Sequence, residues 1–197
     1  MESVNPALKD LSGKNPADGQ QRPDNTERHL RRPEAADALA VHRLVADSGV
    51  LDLNSTYAYL LLSTDFADTS IIGERNGRVC GFVGGYHPPQ RPDVLFVWQV
   101  VVAASEQGTG MGGAMLDALV HRVRSERNGH PITVEATVAP SNASSRALFG
   151  GLARRHGVPM SEHERFLAAD LDPDGAHEDE PVLRIGPITA PLSTEDN

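Results

Sequence analysis

The densest chemical signal in the chain is Gln107-Gly108-Thr109-Gly110-Met111-Gly112-Gly113. It follows an apolar run and opens a stretch with helical spacing. The first turn of a helix carries N–H groups without intrahelical partners, and its dipole favours negative charge. Glycines let an anion reach that backbone with no Cβ in the way. The segment therefore reads as a phosphate cradle. A Walker A loop is excluded, because no Lys-Ser/Thr pair follows the glycines. Gly108, Gly110 and Gly113 do match the dinucleotide fingerprint G-x-G-x-x-G. That fingerprint also needs an acidic residue at the end of the next strand, whereas Glu135 falls mid-strand. It should also follow the first strand of a βαβ unit, and here the motif follows a hairpin. A glycine turn without a ligand is the plain alternative. It carries an entropy penalty that packing alone rarely justifies.

The elements that must position this loop can be read from spacing. His29 to Arg32 reads as a short strand. Glu34 to Asp47 has apolar residues at Ala38, Leu39, Val41, Leu44 and Val45, with Gly49 as a stop, and predicts a helix. Asn54-Ser55 caps a second helix, Thr56 to Ser63. Ser70 to Arg75 and Arg78 to Tyr86 are strands joined at Asn76-Gly77, a type I′ hairpin signal. Val94 to Val102 is almost continuously apolar, as in a strand buried on both faces. Gly110 to Arg127 is helical, Ile132 to Val138 a strand, Ala143 to His156 a helix and Arg165 to Leu171 a last strand. That order predicts an α/β (α+β) fold, a mixed sheet carrying helices.

Composition bounds the function. Of 197 residues, 39% are hydrophobic, below the usual globular share, so part of the chain is expected outside the core. Residues 1–26, rich in Asn, Pro, Asp, Gly and Gln, read as a disordered extension. Residues 172–197 read as an acidic, solvated tail. The working domain is then 27–171. A net charge of −9 argues against a nucleic-acid-binding surface. No apolar run is long enough to span a membrane, and Met1 to Asp18 lacks the features of a secretory signal. The single Cys80 offers neither a disulfide nor a zinc motif, and no metal site is visible. A cytoplasmic protein is expected.

Gln107, Gly110 and Gly112 also fit Q/R-x-x-G-x-G/A, and Asn142 stands three residues before Ser145 at the start of the next helix. With the strand Trp98-Gln-Val-Val-Val upstream, these residues resemble the GCN5-related N-acetyltransferase (GNAT) superfamily. The resemblance implies acetyl-CoA as donor and a mostly antiparallel sheet with helices on both faces, splayed between its fourth and fifth strands. It places the pantetheine arm along Val100, Val101 and Val102. The diphosphate would lie on the amides of Gln107, Gly108, Thr109, Gly110, Met111 and Gly112, with Asn142 and Ser145 completing the cofactor site. Seven residues after Asn142, where many members carry a proton-donating Tyr, this chain has Phe149.

Three stretches are similar to one family, the L-2,4-diaminobutyrate acetyltransferases of ectoine synthesis. They are Leu51 to Leu62, Phe96 to Val102 and Pro140 to Phe149. That likeness implies transfer to the γ-amine of a small diamino acid by a homodimer. An α-ammonium needs a carboxylate partner, and the reacting amine must lose a proton. Asp52 is the proposed ammonium anchor, with Ser55 and Tyr57 orienting the substrate; a turn residue at Asp52 and a core aromatic at Tyr57 are the plainer readings. Trp98 is either a pocket wall or a core residue. Glu135, ionisable in an apolar strand, is a candidate general base; an edge residue paired with an Arg is the alternative. His163 and Glu164 are candidates to close over the substrate or carry the proton, against a solvated loop. Transfer to another amine or polyamine, a non-catalytic acyl-CoA sensor and a dehydrogenase remain as rivals.

Overall fold

A computed structural model describes residues 28–49, 51–171, 175 and 177–189. The N-terminal extension expected over 1–26 lies outside them. The described strands are β1 (Arg28–Arg31), β2 (Ile71–Arg75), β3 (Arg78–Tyr86), β4 (Val94–Val102), β5 (Ile132–Thr137), β6 (Met160–Phe166) and β7 (Glu180–Ile188). The helices are α1 (Ala38–Ser48), α2 (Thr56–Ser63), α3 (Met111–Glu126), α4 (Ala143–His156) and the short α5 (Ala168–Leu171). The seven strands form one sheet in the order β1-β2-β3-β4-β5-β7-β6. Every neighbouring pair is antiparallel except β4–β5, which is parallel.

Local chemistry sets most boundaries. Asn76 and Gly77 turn the β2–β3 hairpin with φ of 54° and 70°, the left-handed pair that a type I′ turn requires. Ser55 accepts a hydrogen bond from Ala58 N–H and starts α2; Asn142 accepts from Ser145 N–H and starts α4. Two cores flank the sheet. One packs Met111, Met115, Leu116, Leu119, Phe149 and Leu152 of α3 and α4 on one face. The other packs Val41, Val45, Tyr59 and Leu62 of α1 and α2 against Ile72, Phe82 and Val101. The first comes unusually close to the sheet. A Cβ at Gly73 would meet Met111 Sδ at 2.8 Å, and one at Gly81 would meet Met115 Cε at 2.7 Å.

Two expectations are corrected. The last strand foreseen at Arg165 to Leu171 is instead β6, Met160–Phe166, followed by α5. The segment foreseen as an acidic tail contains β7, which inserts between β5 and β6. Its acidic lead, His177 to Glu180, disguises the apolar residues Val182, Leu183, Ile185 and Ile188, all buried. The domain therefore runs past Leu171.

Strand β4 decides the geometry of the site. It pairs with β5 only at Val94↔Thr133, Leu95↔Val134 and Phe96↔Glu135. Beyond Phe96 the two strands part. Against β3, Gly84 faces Gln99 and Gly85 faces Val97, so Trp98 is the extra residue of a β-bulge. The bulge reverses the facing of β4. Leu95 and Val97 face α3 and α4 before it, whereas Val101 faces α1 and α2 after it. Only glycine fits opposite: a Cβ on Gly85 would meet the Phe96 carbonyl oxygen at 2.7 Å.

Candidate active site

The gap between β4 and β5 exposes one edge of β4. Ala103 N–H donates to Cys80 O on β3 at 2.8 Å. Backbone groups alternate sides along a strand, so Val101 also turns its N–H to β3, opposite Phe82. Val100 and Val102 then turn theirs into the gap. Val101 departs from expectation. Its backbone belongs to the β3 ladder and its side chain to the core, so it offers nothing to a ligand in the gap.

At the mouth of the gap stands the glycine loop. Gly108 and Gly110 have φ of +77° and +81°, and Gly108 has no atom within 4 Å of where a Cβ would project. Gly112 serves packing instead, with Leu148 3.3 Å and Val102 3.6 Å from its missing Cβ. The first bond into α3 runs from Ala114 N–H to Gly110 O, which leaves the amides of Met111, Gly112 and Gly113 without intrahelical partners. Met111 contributes only that amide; its side chain is buried. Arg28 donates to Thr109 O at 2.9 Å, and Arg75 pairs with Glu106 at 2.8 Å, so the loop is held from both ends. The Thr109 hydroxyl donates back to Glu106 O, and Gln107 Nε2 reaches Val102 O at 3.5 Å. Open space, orphan amides and a fixed loop fit a diphosphate. Asn142 and Ser145 sit nearby as the capping pair of α4, and the Asn142 side-chain oxygen is already engaged there.

The other side of the gap is organised by two residues that sequence reasoning passed over. Tyr59 O–H donates to Gln99 Oε1 at 3.0 Å, and Gln99 Nε2 donates to Asp52 O at 3.0 Å. Asn54 N–H reaches the Tyr59 oxygen at 3.4 Å. This chain ties the loop before α2 to β4 just past the bulge. Its sequence signal was a lone Gln in the run Val97-Trp-Gln-Val-Val-Val. Asp52 therefore stands at the gap with an exposed side chain. Ser55 is exposed, and its hydroxyl oxygen accepts from Ala58 N–H as the cap of α2. Tyr57 is 68% exposed, and Tyr59 is the core aromatic. Trp98, at the bulge, is 49% exposed, so the plain core reading fails.

Glu135 is 1% exposed, yet it is not a free base. Arg91 Nη1 donates to both its oxygens at 2.8 and 2.7 Å, and Arg184 Nη1 donates to one at 2.7 Å. Arg165 lies 4.0 Å away. Arginines thus take three of its roughly four acceptor sites, the pairing with Arg named as the alternative to a base. β5 is an interior strand, so Glu135 is no edge residue either. In sequence the arginines are 44, 49 and 30 positions distant, beyond any spacing argument. His163 lies on β6 in register with Val182 of β7, itself opposite Thr137 of β5. It is exposed, with Nε2 3.0 Å from Ser161 Oγ. Glu164 is exposed beside it. Cys80 is buried, and that burial pushes its thiol up, away from nucleophile chemistry. Phe149 is packed in the core.

Comparison with known proteins agrees with this geometry. The acetyltransferase (GNAT) family matches residues 38–151. The L-2,4-diaminobutyric acid acetyltransferase of Bordetella parapertussis is 44% identical over 83% of this chain and 86% of its own. That of Streptomyces coelicolor is 44% identical over 82% and 94%. A solved diaminobutyrate acetyltransferase from Paenibacillus lautus, in complex with L-2,4-diaminobutyric acid and coenzyme A, superposes with a TM-score of 0.74. It is 42% identical, and the match covers 85% of this chain and 99% of that one. A GNAT acetyltransferase from Streptococcus pneumoniae, 14% identical with a TM-score of 0.57 over 81% and 100% of the two chains, shares the fold alone. A bulged strand parting from its parallel neighbour, a glycine loop at the mouth of the gap and these relatives agree: the chain belongs to the GNAT acetyltransferases, among the L-2,4-diaminobutyric acid acetyltransferases.

Proposed function

We propose that this chain moves the acetyl group of acetyl-CoA to the γ-amine of L-2,4-diaminobutyrate by direct attack. The observation that carries the reading is the unpaired edge of β4. Val100 and Val102 turn their N–H groups into a gap whose mouth is the glycine loop. An extended pantetheine arm pairs with such an edge much as a peptide adds to a sheet. The amides of Gly108 and of Gly110 to Gly113 receive the diphosphate, whereas the Thr109 and Gln107 N–H groups are already paired with Glu106 O and Ala104 O. The amine nitrogen forms a bond to the thioester carbon, the carbon–sulfur bond breaks, and the CoA thiolate leaves and takes a proton from water. The Val100 N–H polarises the carbonyl oxygen. Asp52 holds the α-ammonium, and Tyr57 and Trp98 wall the acceptor site. With Glu135 committed to arginines, His163 takes the proton from the amine, and Glu164 closes over the acceptor. Asn142 and Ser145 flank the CoA.

The enzyme is further proposed to be a cytoplasmic homodimer. β6 is an edge strand exposed along its whole length, and Met160, Phe166, Leu167 and Leu171 leave apolar surface uncovered beside it. Light scattering of the purified protein tests the dimer, and fractionation of the source cells tests the compartment.

The activity is tested by incubating the enzyme with acetyl-CoA and a panel of diamines and resolving the products by NMR. Acetylation of diaminobutyrate at its γ-nitrogen is expected. Equal turnover of diamines lacking the carboxylate, or binding of acetyl-CoA without turnover of any amine, would overturn the assignment.

A further inference from the structure

The least explained group in the molecule is the set of arginines around Glu135. One buried carboxylate is satisfied by one or two guanidiniums, and here three converge. Among the described residues no other carboxylate lies within ion-pair distance of Arg91, Arg165 or Arg184. The cluster thus carries two positive charges in excess, in a protein whose net charge is −9.

The three are not equivalent. Arg91 grips both oxygens of Glu135 and Arg184 grips one. Arg165 stands 4.0 Å off, beyond hydrogen-bond distance. It is held instead by stacking, 5.3 Å above the Phe96 ring and 5.1 Å from the Phe166 ring. Its fork of donors is therefore oriented but uncommitted.

The position is equally specific. Phe96↔Glu135 is the last paired step before β4 and β5 part. Val134 and Ala136 face α3 and α4, so Glu135 points to the opposite face, the side of α1 and α2. Arg184 is opposite Glu135 in register, and Ser161 is opposite Arg184. Phe66, Tyr86 and Phe96 form an aromatic row on the same face. The Asp52 loop is tied to Gln99, three residues along β4 and about 10 Å away by strand rise.

We propose that Arg165 and Arg184 bind the α-carboxylate of the acceptor and select a carboxylate-bearing diamine over a plain one. The inference deepens the assignment of diaminobutyrate and rests on it. Arg91 secures Glu135, which in turn sets the positions of the other two. A guanidinium fork matches a carboxylate in geometry and charge, whereas a decarboxylated analogue leaves it unmatched.

The test compares kcat/KM for L-2,4-diaminobutyrate and 1,3-diaminopropane in the wild type, Arg165→Gln, Arg165→Lys and Arg184→Gln, with thermal melts to monitor folding. The ratio of the two values is expected to fall roughly ten-fold or more in Arg165→Gln, chiefly through the KM of diaminobutyrate. Arg165→Lys keeps a point charge and lands between. Arg184→Gln serves as a second reading should Arg165→Gln fail to fold. A ratio preserved in the folded variants, including parallel losses with both amines, overturns the arginine assignment alone. A wild type that uses diaminopropane as readily as diaminobutyrate overturns the reading of the acceptor itself.

Discussion

Tyr59 and Gln99 show how a single side chain can matter without touching a reactant. Neither was singled out from the sequence, because Tyr59 reads as one more apolar position of a helix and Gln99 as an interruption. Folding places them 3.0 Å apart and makes them the tether of the Asp52 loop. Tyr59→Phe leaves the buried Gln99 oxygen without its donor and is expected to lower stability by about 1–2 kcal/mol. The KM of the acceptor should rise while that of acetyl-CoA holds, as read by urea melts and steady-state kinetics; an equal rise in both would contradict the tether. Glu135 was visible as an odd residue in an apolar strand, but its partners were not. Glu135→Ala leaves Arg91 and Arg184 facing each other without a counter-charge. Because both are partly exposed, the loss is expected at about 1–3 kcal/mol rather than the larger figure for a fully buried pair.

The glycine loop is a property of elements. Gly108 and Gly110 were expected to bring backbone to an anion, and both adopt φ values that disfavour a Cβ. Gly110→Ala is expected to strain the start of α3 by about 1–2 kcal/mol. The KM of acetyl-CoA should rise about ten-fold, by displacement of amides each part of a shared cradle, with little change in the acceptor's KM. Asn142→Ala removes the cap of α4 and should lower thermal stability by about 1 kcal/mol. The bulge at Trp98 has no comparable signature. Period-2 reasoning assigns each residue of β4 one face, and an inserted residue reverses every assignment after it. That is why Val100 and Val102 face the gap while Val101 is core.

At the scale of the molecule, β7 holds the sheet together. It lies between β5 and β6, and through Arg184 it supplies part of the charge at the gap. Truncation after Leu171 strips that strand and bares two edges, so the product is expected to be insoluble when expressed. The far side of the sheet has its own electrostatic lock. Burial pushes the Asp37 carboxyl up, but hydrogen bonds from Arg31 and the Glu34 N–H outweigh it and leave the group below its ordinary 3.8. A hydrogen bond from Arg31 likewise holds Glu74 below its ordinary 4.5. Both groups bind protons less readily folded than unfolded. Their contribution is complete above about pH 5 and is lost as pH falls through those ordinary values toward the depressed ones. Urea midpoints should therefore decline on acidification through that window, and Asp37→Asn should flatten the decline.

Read alone, the sequence determined what depends on neighbours in the chain. The Asn76-Gly77 turn, the Ser55 and Asn142 caps, the apolar periods of α3 and α4 and the left-handed glycines before α3 all follow from residues within a few positions of one another. Tertiary structure alone decided whatever depends on distant partners. It recruited an acidic stretch as an interior strand, and it turned a suspected base into the centre of an arginine cluster. The reason is physical. A cap or a turn satisfies itself locally, whereas the charge state of a buried carboxylate and the pairing of a strand are set by groups that only the closed sheet brings within reach.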